Sequence, residues 1–193
     1  MREEGSTMGQ LIYAAGTSLD GYVADESGNF EWAELDEEVL THINDRERRN
    51  RTYLFGRKVY ETMSVWETPE VMSEATPATL AYVPTWQAAE KIVYSTTLQA
   101  VSTANTRLER TFDVDAVRKL KAEATHDVGI GGATLAAQAI RAGLVDEFHL
   151  LVAPVVAGGG NPFWPDQVPM RLELVDERRF DHGLVYLQYR SAS

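Results

Sequence analysis

Cysteine is missing from all 193 residues, which excludes disulfides, thiolate metal sites and cysteine nucleophiles. Basic residues are scarce beside acidic ones: 18 Lys and Arg against 29 Asp and Glu leave a formal net charge of −11. Such a chain is poorly suited to broad contact with nucleic acid or an anionic membrane. A local basic pocket for a phosphorylated small molecule is still open to it. Long apolar runs are also lacking. The most apolar stretch, residues 150–157, contains Pro154 and is far too short to span a bilayer. No signal-peptide core marks the N-terminus, so a cytoplasmic protein is expected. The four histidines, His42, His126, His149 and His182, show no metal-ligand spacing. His149 lies in an apolar strand and reads as a packed side chain. No G-x-S-x-G elbow is present, which argues against a serine hydrolase.

What is present suits one globular domain. Hydrophobic residues make up 44% and charged residues 24%, and a sizeable core can be buried at this length. Residues 1–8 read as a leader, and residues 9–191 as a single domain. Strands are expected at 11–15, 22–24, 52–55, 91–95, 127–130 and 147–153, and near 171–175 and 184–189. Helices are expected at 36–49, 58–65, 113–124 and 133–142, with Asp113 as an N-cap. The segment 67–84, with three prolines, is the least readable. Alternating strands and helices imply a three-layer αβα architecture. The final strand pair makes its sheet mixed, mainly parallel. The apolar stretches 147–156 and 184–189 are expected near a sheet edge, where a second copy could cover them as a homodimer.

Two strand–glycine–helix turns carry chemistry. Gly131 and Gly132 lead into Ala133 and Thr134; glycine lets backbone approach a ligand, and a helix start offers free N–H groups to a phosphate. A tight turn would use the same residues. At the second turn, Gly56 precedes Arg57 and Lys58. Cations at a helix start oppose its dipole, so an acidic protein that puts them there has reason to be holding an anion. The plainer reading is two solvated side chains. Asp20-Gly21 marks a turn between two strands, and Ser95 and Thr96 follow a buried strand.

Read in order, A-x-x-S-L-D-G-Y-V-A, L-x-G-R-x-x-Y-E-x-M, K-I-V-Y-S-x-T-L, G-G-A-x-L, G-L-V-D-E and P-V-V-x-G-G-G-x-x-F resemble the dihydrofolate-reductase-like superfamily. Within it the chain is most similar to stand-alone proteins like the C-terminal reductase domain of the riboflavin enzyme RibD. The resemblance covers residues 9–190. It implies an NADPH-dependent oxidoreductase acting on a small heterocycle. That substrate would be the ribosylamino-pyrimidine of riboflavin synthesis; the alternatives are a pterin-type substrate or NADPH binding without turnover. It places the cofactor's 2′-phosphate at Gly56, Arg57 and Lys58, and the adenosine at Ser95 and Thr96. The pyrophosphate falls at Gly131, Gly132, Ala133 and Thr134, and the nicotinamide at Ala14 and Ala15. It also implies a cis link between Gly131 and Gly132. Thr96 departs from the Arg many relatives carry there, and the Arg57–Glu61 segment is closer to the folate enzymes. Asp20, in a loop over the nicotinamide, and Glu37, five residues after Trp32, are the candidate catalytic acids. Asp36 and Glu38 compete with Glu37 for that role, and a run of acids at a helix start more often serves the helix dipole.

Overall fold

The computed structural model describes residues 9–32, 35–68 and 75–192. Ten strands are found among them: β1 (Leu11–Thr17), β2 (Tyr22–Ala24), β3 (Asn50–Gly56), β4 (Glu90–Tyr94), β5 (Thr106–Glu109), β6 (Asp127–Gly131), β7 (Glu147–Val152), β8 (Asn161–Pro162), β9 (Leu172–Arg179) and β10 (Val185–Ser191). The α-helices are α1 (Glu37–Glu47), α2 (Arg57–Met63), α3 (Pro77–Ala88), α4 (Val114–Glu123) and α5 (Ala133–Arg141). Eight strands form one sheet in the order β5-β4-β3-β6-β1-β7-β10-β9, and β2 pairs with β8 separately. Pairing is parallel from β5 through to β7, while β10 runs antiparallel to both β7 and β9. The expected three-layer αβα arrangement with a mixed, mainly parallel sheet is what the chain forms.

Strand alternation sorts the core. Leu11 and Tyr13 of β1, Leu54 of β3, Val128 and Ile130 of β6, and Phe148 and Leu150 of β7 pack on one face against α5. Tyr53 and Phe55 of β3 and Val93 of β4 point the other way, onto Tyr60 of α2 and Tyr82 and Trp86 of α3. On that same face α1 lays Val39 against Tyr186 and Leu184. Local sequence fixes the helix starts. Asp36 accepts the Val39 N–H at 2.9 Å to cap α1, and Asp113 accepts from Asp115 and Ala116 to cap α4.

Two expectations are corrected, and one segment left unread is filled in. The strands β7 and β10 do lie toward one end of the sheet, as expected, but each is flanked on both sides, so neither is an open apolar edge. A largely apolar strand is instead the mark of burial between two layers. The outer strand is β9, whose sequence LELVDERR is mostly charged, a common defence of an open edge. The homodimer expectation thus loses the apolar edges it rested on. The unread, proline-rich segment contains α3: Pro77 sits in its first turn, where a missing N–H costs nothing, and Pro84 is carried inside it. The second correction is that the Gly131–Gly132 link is trans, as are all peptide bonds among the described residues. Gly132 makes the turn through a φ of 99° instead. No helix among the described residues is long and apolar enough to cross a membrane.

Candidate functional site

A cleft of about 1250 Å³ opens where the parallel strands β1, β3 and β6 end. Crevices at strand carboxyl ends are where open α/β sheets bind ligands, and this one exceeds the usual ligand pocket of about 300–1,000 Å³. Ala14, Ala15 and Gly16 of β1 lie at its middle. On the β3–β6 side the wall is Gly56, Arg57, Lys58 and Gly131 through Thr134. On the β7–β10 side it includes His149, Leu151 and Tyr186, with Ile43, Arg46 and Glu47 of α1.

Two of the glycines at the first wall, Gly131 and Gly132, are dictated by space and backbone angle. A Cβ on Gly131 would fall 2.8 Å from the Phe55 ring, and Gly132 combines its positive φ with a Val59 methyl 3.4 Å from any Cβ. The first hydrogen bond inside α5 runs from the Ala136 N–H to the Gly132 carbonyl. The N–H groups of Ala133, Thr134 and Leu135 therefore precede the helix ladder, and no side chain caps them. Arg57 meets Glu61 at only 3.8 Å, with both side chains nearly half exposed; a surface pair of this kind holds an arginine weakly.

The cleft thus gathers nine residues singled out from the sequence: Ala14, Ala15, Gly56, Arg57, Lys58, Gly131, Gly132, Ala133 and Thr134. Four others lie elsewhere. The Ser95 hydroxyl accepts the N–H groups of Thr97 and Leu98 at 3.2 and 2.9 Å, closing a local turn after β4, and Thr96 is exposed beside it. Asp20 accepts from the Ala157 and Gly158 N–H groups at 2.9 and 2.8 Å. Hydrogen bonds from Ser18 and from those two amides pull its carboxyl down to about 2. An acid held that low keeps no proton to give at neutral pH; its geometry is that of a clasp between two loops. Glu37 accepts the Ala78 N–H at 3.2 Å, which ties α1 to the first turn of α3, and it is not part of the cleft wall.

Among the other polar side chains on the cleft wall are Glu47 and His149. Glu47 reaches the wall with one carboxylate oxygen held by Asn50 at 2.9 Å and by the Tyr53 hydroxyl at 2.7 Å. Trp32, Phe30 and Leu35 give that end an apolar lining. His149 is 6% exposed and does more than pack: its Nε2 lies 3.1 Å from Glu147 Oε2. The available signal was Glu147-Phe148-His149, which puts two polar side chains on one face of an otherwise apolar strand.

Comparison with known proteins gives a consistent picture. A sequence model of the RibD C-terminal domain matches residues 10–186. The uncharacterized protein YyaP of Bacillus subtilis (strain 168) is 28% identical over 189 residues, covering 93% of this chain and 94% of that protein. A Shewanella sp. PV-4 protein provisionally assigned to riboflavin biosynthesis superposes with a TM-score of 0.74 at 20% identity, covering 95% of this chain and 99% of that one. Dihydrofolate reductase from Enterococcus faecalis, in complex with NADP(H), superposes at 0.64 with 15% identity over 96% and 98% of the two chains. The deaminase/5-amino-6-(5-phosphoribosylamino)uracil reductase of Thermotoga maritima gives 0.63 at 13% identity; 96% of this chain is covered, and it spans 57% of that longer protein.

Proposed function

Because the chain belongs to the RibD C-terminal domain family, we propose that it is an NADPH-dependent reductase of a small heterocycle, with 5-amino-6-(5-phosphoribosylamino)uracil as the favoured substrate. One observation carries the reading: the uncapped start of α5 and the adjacent cations Arg57 and Lys58 face a single cleft. The donor set suits a dinucleotide phosphate. Free N–H groups at a helix start, approached across two glycines, take a pyrophosphate, and the two cations take a further phosphate by charge-assisted bonds. Ala14 and Ala15, small and central, leave room for a flat ring. When bound, such a cofactor supplies a hydride. The chain's own residues then orient the substrate and exclude water. The apolar end formed by Trp32, Phe30 and Leu35 encloses a planar ring, while Glu47 and Arg46 offer an acceptor and a donor to its polar edge.

The test is to follow absorbance at 340 nm while NADPH is offered with the phosphoribosylamino-uracil, and separately with dihydrofolate. Steady oxidation with the uracil is expected. Oxidation with dihydrofolate alone would move the assignment to a pterin substrate. NADPH binding without turnover of either would leave a cofactor-binding protein and refute the reductase.

A further inference from the structure

We infer that His149 is the side chain that delivers the proton to the reduced substrate, and that Glu147 positions it; the inference rests on the reductase reading above. Reduction of a C=N or C=O group needs both a hydride and a proton, and neither Asp20 nor Glu37 is placed to give one. Among the wall residues described, imidazole is the side-chain type able both to hold and to release a proton near pH 7.

Register puts it there. Ala14 of β1 pairs with His149 of β7, and His149 pairs with Gln188 of β10. The imidazole is thus on the strand next to the cleft's central residue, on the face that α1 covers. Behind it stands a hydrogen-bonded anchor. Glu147 Oε2 lies 3.1 Å from His149 Nε2 and accepts the Gln188 side-chain N–H at 2.9 Å. Gln188 Oε1 in turn accepts from Arg46 at 3.2 Å and from the Tyr186 hydroxyl at 3.4 Å. Arg46 is pinned from its other side by Asp176. Burial pushes the Glu147 carboxyl up, but the hydrogen bond and charge of His149, the charge of Arg49 and the Gln188 bond outweigh it and hold the group below its ordinary range. Glu147 is therefore an ionised acceptor, and Nε2 of His149 must carry the hydrogen between them. Nδ1 then has no protein partner among the described residues, and it is not among their sealed, unpartnered atoms. A histidine that serves packing alone has no need of a buried carboxylate fixing one nitrogen while the other is left to the cleft.

The step balances. With the hydride supplied to the substrate carbon by a bound cofactor, the double-bond electron pair would move onto the nitrogen or oxygen, and protonated His149 Nδ1 would give that atom its proton. C=N would become CH–NH, with the hydride and its two electrons supplied by a bound reduced nicotinamide, and His149 would recover its proton from water.

Two measurements test this. Long-range ¹H–¹⁵N correlation on the wild-type protein, assigned with His149→Gln, reads the tautomer without any turnover. The neutral ring should carry its hydrogen on Nε2, and Glu147→Gln should shift that population. With the phosphoribosylamino-uracil, His149→Gln should lower kcat by about 10²–10⁴-fold, the range for general acid catalysis. NADPH affinity should stay within twofold, and Glu147→Gln should lose less, in kcat and not KM. A hydrogen on Nδ1 in the neutral wild type, or His149→Gln turning over within threefold of wild type, would overturn the inference. Failure of the reductase reading itself is recognised separately, because the wild type then fails to bind or oxidise NADPH before any variant is made.

Discussion

Of the glycines that line the cleft, Gly131 and Gly56 have opposite tolerances to a side chain. A Cβ added to Gly131 would meet Cδ1 and Cε1 of Phe55 at 2.8 and 2.9 Å and a Val59 methyl at 3.1 Å. Phe55 has little room to retreat. It is 5% exposed, stacked on Tyr53 at 5.2 Å between ring centroids, and backed by Trp86 at 5.9 Å. Overpacking of this kind costs about 1–3 kcal/mol. For a chain of this length that is a fall in Tm of about 2–12 °C for Gly131→Ala. Gly56 differs. Its φ of −74° is open to any residue, and the nearest atom to a new Cβ is Leu135 Cβ at 4.0 Å. Gly56→Ala gains about 0.4–1 kcal/mol by restricting the unfolded chain. It loses a similar amount because alanine is a poorer N-cap than glycine. Urea unfolding should therefore show Gly56→Ala within about 0.5 kcal/mol of wild type, these two terms nearly cancelling, and Gly131→Ala clearly below both. Since Val59 belongs to α2, Gly131→Ala should also weaken NADPH binding. Equal stability of Gly131→Ala and wild type would refute the packing argument.

Other expectations follow from single contacts. Asp20→Asn should lower Tm at pH 7 and speed amide exchange at Ala157 and Gly158. Because the folded carboxyl is pulled down to about 2, its contribution is complete above the ordinary carboxylate range and is lost as pH falls from about 4 toward 2. The two proteins' melting curves should converge there; a gap that persists at pH 2 would contradict the clasp. Lys91, fully buried, donates to the Trp86 and Ala89 carbonyls at 2.8 and 3.0 Å and lies over the Trp86 ring, so it closes the end of α3. Lys91→Met keeps the stem and strands two carbonyls, a loss of about 1–3 kcal/mol. An unchanged urea midpoint would show the ammonium to be dispensable.

The sequence was most legible where one residue type has one physical use. Asp36 and Asp113 announce helix starts because their side chains satisfy free N–H groups, and Gly131-Gly132 announces a close approach because a Cβ does not fit. It was least legible where a rule has an exception set by packing. The three prolines of 67–84 left that segment without a reading, yet α3 accommodates Pro77 and Pro84 while its Tyr82, Val83 and Trp86 are buried. The strands β5 and β8, with four and two residues, are too short to show a period. At the site, backbone-built features were found, since glycines and helix starts are local. Glu47, His149 and Gln188 were missed, because they meet only through sheet register and a helix laid across it. Asp20 and Glu37 were chosen by position in a motif, and hydrogen bonds to loop and helix amides took them instead.

The central claim is that this cleft holds NADPH through Arg57 and Lys58. Calorimetric titration of NADPH and NADH against wild type and the Arg57→Ala/Lys58→Ala double variant tests it most directly. Charge-assisted contacts of about 1.5–3 kcal/mol predict that wild type prefers NADPH by at least about tenfold. The double variant should bring both affinities together by weakening NADPH alone. Equal affinities in wild type, or an undiminished preference in the variant, would contradict the account.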